Sequence, residues 1–190
     1  MRYIYLIPRI LVVAVLLGLI IFGIAELSTS HPAKPAPRPL IMAEYADGAA
    51  TVSFTTEGPT NADENHRSII MTVSNNIRSL EVTSGYQGQV IQSKSYGNNV
   101  SAFREFLAGL QTEGFLIQRS KTTVASIQGQ CPLGIKYTFA STGINGAPDN
   151  LWTTSCLSKT RTFGGSLGVI KQLFQNQIPD YNSLVSDVDL

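Results

Sequence analysis

Few residues in this 190-residue chain carry chemistry of their own, among them two cysteines and two histidines. Cys131 and Cys156 flank a stretch, 135–140 and 151–157, that reads as a β-hairpin. If its loop centres near Asn145, paired positions sum to about 290, and the two cysteines lie close together at the open end. A disulfide between Cys131 and Cys156 is therefore expected. It would stabilise the fold by about 3–4 kcal/mol by restricting the unfolded chain. Such a bond suits an oxidising compartment and implies no activity.

Gly164-Gly165-Ser166-Leu167-Gly168 fits the G-x-S-x-G pattern of a hydrolase nucleophile elbow. That arrangement needs a later histidine as base, and no histidine follows Ser166. The expected role of Ser166 is to cap a helix after a glycine-rich turn. The same turn could hold an anion with Arg161 and Lys171, but it lacks the spacing of nucleotide loops.

Thr153-Thr154-Ser155-Cys156, with His66 upstream and Arg161 downstream, loosely resembles the sortases, cysteine transpeptidases of Gram-positive surfaces. The resemblance implies Cys156 as nucleophile, His66 as acid/base and Arg161 as oxyanion stabiliser. The chain departs from the sortase T-L-x-T-C strand end by lacking its leucine. Cys131 also offers Cys156 a disulfide partner, and a bonded sulfur has no thiolate to attack with.

Other chemistries find no complete residue set. One domain histidine and two paired cysteines cannot build a zinc site. Asp63-Glu64 and Asp187/Asp189 are too sparse for a calcium loop. Twelve scattered acids from Glu44 onward offer no specific glycosidase pair. Asn99-Val100-Ser101 is a glycosylation sequon by pattern. Trp152, placed beside Tyr137 and Phe139 across the hairpin, is expected in the core, with a sugar or peptide platform as the alternative. No catalytic, metal or cofactor site is expected.

The elements that must position these residues divide into three. Residues 1–27 hold 21 apolar positions, and Ile10 to Ala25 carries no charge. From Tyr3 to Ala25 a helix would span about 34 Å, enough for a bilayer. Arg2 and Arg9 place the N-terminus in the cytoplasm, and Tyr3 and Tyr5 suit the headgroup zone. A retained signal anchor is favoured over a cleaved signal peptide ending near Gly23-Ile24-Ala25. The lipid bilayer is thus the first expected partner. Residues 28–43 contain Pro32, Pro35, Pro37 and Pro39, a semi-rigid extended spacer.

Residues 44–190 read as one extracytoplasmic α+β domain. Its ten basic and twelve acidic residues exclude a basic nucleic-acid binder. Strands are expected at 51–56, 68–74, 77–83 and 89–96, with turns at Asn75-Asn76 and Gly85–Gly88. Val100, Phe103, Leu107 and Leu110 recur at helical spacing, capped by Asn99 or Ser101 and ended at Gly114. Strands at 115–120, 122–127, 135–140 and 151–157 follow. A second helix carries Leu167, Ile170, Leu173 and Phe174 on one face and stops before Pro179. The expected fold is an antiparallel, meander-like sheet with two amphipathic helices on one face, preceded by a transmembrane helix. The expected function is a non-catalytic binding or scaffolding module of the cell envelope, recognising an unknown extracytoplasmic protein or glycan. A subunit of a secretion or pilus complex and the sortase-like enzyme are the alternatives.

Overall fold

Alternation with a period of two gives each strand one apolar and one polar face, and the chain buries the apolar one. The computed structural model describes residues 39–119, 126–156 and 161–190. The apolar run at 10–25, most of the proline-rich segment and most of the strand expected at 122–127 lie outside them. No helix among the described residues is long and apolar enough to cross a membrane.

Residues Leu40–Leu190 form one compact unit. Its six strands are β1 (Thr51–Glu57), β2 (Arg67–Ser74), β3 (Ile77–Ser84), β4 (Gln89–Gly97), β5 (Lys136–Thr142) and β6 (Asn150–Thr154). They pair antiparallel in the order β4-β3-β2-β1-β5-β6. The first four strands are a meander. The chain then leaves the β4 edge through helix α1 (Val100–Thr112) and returns to pair β5 against β1. Helices α2 (Leu167–Gln175) and the short α3 (Tyr181–Val185) follow β6.

The ladder register aligns the inner-face residues in rows. Leu151, Phe139, Phe54, Met71 and Leu80 stand side by side across five strands, and all five are buried. Phe54 packs on Phe139 at 5.2 Å and on Phe174 of α2 at 5.6 Å. Phe106 of α1 meets Phe174 edge-on at 5.2 Å. Phe163 stacks on Phe139 at 3.9 Å. Aromatic side chains thus join the sheet to α2 and α2 to α1, and edge-to-face pairs add roughly 0.5–1.5 kcal/mol beyond burial.

Local chemistry sets the element ends. The Asn99 side chain accepts from the Ala102 amide and caps α1 as expected. Met42 is fully buried ahead of Glu44, and its amide donates to Gln111 Oε1 of α1 at 2.6 Å. Asn75 and Asn76 do make the β2–β3 turn, but neither takes a positive φ. Side-chain bonds shape it instead: Ser74 Oγ donates to Asn76 Oδ1 at 2.6 Å, and Asn75 Nδ2 donates to the Gly48 carbonyl at 2.9 Å.

Two elements depart from the expectation. The strand foreseen at 115–120 is reduced to one bridge, Gln118 with Phe163. Phe115 is drawn into the core by its ring contacts, so the chain turns there rather than extending. Helix α3 was not foreseen, because five residues carry too little periodicity to register.

Candidate functional site

The same register that builds the core places hydroxyls on the other face. One outer row runs Thr138, Thr55, Ile70, Glu81, Ser93. The next, nearer the sheet's end, runs Lys136, Glu57, Ser68, Thr83, Val90. Along β1 and β2 these side chains are mostly half-buried, whereas the inner positions are sealed. A cavity of about 540 Å³ opens over this corner, walled by Tyr86, Gly88 and Ile127–Gly129.

At its floor Lys136 Nζ donates to Glu57 Oε1 at 2.6 Å. Lys136 is only 7% exposed, so its ammonium is compensated by that carboxylate rather than by water. His66 Nε2 lies 3.6 Å from the same oxygen, and Nδ1 lies 3.4 Å from the Pro59 carbonyl. A carbonyl only accepts, so Nδ1 carries the proton of that bond. The His66 ring is buried and stacks on Tyr86, with centroids 4.1 Å apart. Tyr86 is held on two further sides. Its hydroxyl donates to the Asn61 carbonyl at 3.0 Å, and its amide donates to Asp63 Oδ1 at 2.7 Å. Gly85, at φ +71°, sets this turn, and a Cβ there would press on Asp63 Oδ1 at 3.0 Å.

The residues singled out from the sequence fall in other places. Cys131 and Cys156 form the disulfide, with Cα atoms 5.7 Å apart. The hairpin register sums to 290, as Lys136 with Thr154 and Phe139 with Leu151. The sulfur of Cys156 is therefore not a thiolate, and His66 is turned to Glu57, Pro59 and Tyr86. Arg161 is exposed in the segment after β6.

Ser166 precedes α2, but its side chain makes no capping bond; only its carbonyl accepts, from Ile170 at 3.0 Å. The glycines before it have a packing reason. A Cβ at Gly165 would overlap the carbonyl oxygens of Gly114 and Glu113, and one at Gly164 would meet Ile117 Cγ2 at 2.8 Å. The G-x-S-x-G match is thus a close passage of two backbone segments, bonded from the Gly164 amide to the Ile117 carbonyl at 2.8 Å.

Trp152 does not sit beside Tyr137 and Phe139. It pairs with Thr138, one position out of phase with both, and so points to the opposite face. At 4% exposure it is no platform. Asp63 serves the Tyr86 turn, while Asp187 and Asp189 lie near Arg67 and Asn61 in a separate polar hollow. Among the described residues no three His, Cys, Asp or Glu side chains gather to hold a metal.

Sequence reasoning missed Glu57, Glu81, Tyr86 and Lys136 as a group. Alternation in β1 and β5 does put Glu57 and Lys136 on polar faces. Their meeting, 79 positions apart, needs the β1–β5 register. No protein-family model matches the chain, and no curated protein matches its sequence.

Proposed function

We propose that this chain is a single-pass, membrane-anchored extracytoplasmic module that binds a ligand through the outer face of its sheet and performs no catalysis. The observation that supports this reading is the asymmetry of the sheet. One face is filled by phenylalanines, and the other is lined by hydroxyls around an open cavity. Polar groups converging beside an aromatic wall are what fixes the orientation of a bound ligand. The uncharged run at 10–25 and Arg2 and Arg9 before it favour an anchor with the domain outside. A disulfide fits that oxidising side.

Two measurements test the reading on the full chain in cells. External protease, applied after any outer barrier is removed, should digest the domain while the N-terminus stays protected. Digestion only after lysis overturns the orientation. A photo-crosslinking residue at Thr72 of the outer face should give discrete envelope adducts, and one at Glu105 on the exposed side of α1 should not. Equal labelling at both positions overturns the assignment of the face.

A further inference from the structure

The outer-face cavity has a chemistry specific enough to name its ligand class, if the binding reading above holds. Its wall residue Tyr86 is half-exposed although one ring face lies on His66. The remaining face is therefore open toward the cavity that the residue lines. Stacking on His66 and the Asn61 bond fix the ring, and the Asp63 bond fixes its backbone, before any ligand arrives. A ring already ordered loses little freedom on binding.

Charge narrows the choice further. Lys136 is consumed by Glu57 at 2.6 Å, so among the described residues that line the cavity no lysine or arginine is left for an anionic ligand. Glu81 lines the same cavity, and its carboxylate has no ion pair or hydrogen bond among the described residues. An ionised carboxylate only accepts hydrogen bonds, so it asks for ligand donors. Thr55, Ser68 and Thr83 add hydroxyls that can donate or accept.

The position of the cavity argues against an extended peptide. Peptides join sheets at edges, where backbone groups are unpaired. Apart from Val90 of the edge strand β4, the strand residues lining this cavity belong to β1, β2, β3 and β5, each of which has a neighbour on both sides. Over those strands side chains face the ligand, and the turns at Gly85, Gly88 and Gly129 add backbone to the lining. An aromatic plate beside carboxylate and hydroxyl groups suits a molecule with an apolar C–H face and a rim of hydroxyls. We propose that the cavity binds a neutral sugar ring of a glycan, stacked on the open face of Tyr86 and hydrogen-bonded to Glu81.

The test uses the full chain in a detergent without a sugar headgroup. The probes are tetramers of N-acetylglucosamine, of β-1,4-linked glucose and of α-1,4-linked glucose, with a ten-residue Ser/Thr/Val peptide as comparison. Calorimetry should detect at least one sugar probe, and amide shifts should cluster at Glu81, Tyr86 and Gly88. Tyr86→Ala should weaken that binding about tenfold, whereas Tyr86→Phe, which keeps the ring, should change it less than about threefold. Tyr86→Ala could also disturb His66, so Glu81→Ala is the second variant; it should weaken binding without moving the thermal midpoint. Absence of sugar binding, or sugar binding indifferent to both alanine variants, overturns the proposal. If the peptide alone shifts the cavity amides, the site remains a binding site and the sugar assignment falls. If no probe shifts them and the Thr72 crosslinks are also absent, both readings fall together.

Discussion

The two faces of one sheet make the instructive comparison. The inner face of β1 presents Val52, Phe54 and Thr56, all buried; the outer face presents Thr51, Ser53, Thr55 and Glu57, all half-buried. Both sets come from the same seven residues, and a shift of one position would exchange them. The inner face contacts helices, so its energy is area and shape. The outer face carries a part-buried ion pair and a field of hydroxyls, so its energy is local and its surface remains free for contact. Stability and recognition are separated by the pleat itself.

Substitutions that probe each face should separate the same way. The largest effect is expected for Phe54→Ala, which empties the centre of the aromatic core: about 3–5 kcal/mol lost, read from urea unfolding of the purified chain. A loss under about 1 kcal/mol would mean that the core is not organised around that ring.

Replacing both Cys131 and Cys156 by Ser should cost about 3 kcal/mol, because the bridge closes a sequence separation of 25. The same change should loosen the loop 127–134 that walls the outer cavity, visible as faster amide exchange there. Two free thiols in the unreduced wild-type protein would contradict the bridge and restore Cys156 as a nucleophile.

Lys136→Met is expected to cost about 1–2 kcal/mol. It leaves the Glu57 carboxylate, which is 29% exposed, without its cation but still partly solvated. A double change with Glu57→Gln should recover part of the loss, so a thermodynamic cycle measures the coupling.

Tyr137 gives a smaller, pH-dependent effect. Burial raises its hydroxyl above the ordinary 10.0, since the phenolate is disfavoured away from water. The folded state therefore holds the proton longer than the unfolded state does. Its contribution is complete below pH 10 and is lost as the pH climbs from there through the folded value. Unfolding of wild type and Tyr137→Phe compared between pH 8 and 11 should show a shallower alkaline decline in the variant. Parallel curves would remove Tyr137 as a cause.

The smallest effect belongs to the outer hydroxyls. Ser53→Ala and Thr72→Ala should each change stability by no more than about 0.5 kcal/mol in either direction. Larger losses would show that the outer face contributes to the fold as the inner one does.

Much of the architecture was legible in the sequence. Alternation located β1, β-branched residues located β2, and the turn residues at Asn75-Asn76 and Gly85–Gly88 marked off β3 and β4. The spacing of Val100, Phe103, Leu107 and Leu110 located α1, and symmetry about Asn145 gave the β5–β6 register and the disulfide. Local signals failed where packing overrode them. Phe115 to Ser120 read as a strand, but the core claims Phe115 and the chain turns. Trp152 was placed among the inner aromatics, yet the very register inferred for the hairpin puts it opposite Thr138. Gly164 and Gly165 read as a motif because close passage of Glu113 to Ile117 is invisible in one dimension.

What the sequence determined by itself is therefore the set of contacts made by neighbours along the chain: strands, turns, one capped helix, one hairpin bridge. Its period of two also fixed that each strand has a polar side. Only the tertiary structure decided which polar sides lie together. The β1–β5 pairing brings Lys136 to Glu57, and the loops at one end of the sheet bring His66 and Tyr86 over them. Such long-range registers depend on how the aromatic core closes, because burial of the inner face selects one pairing and the outer cluster follows from it.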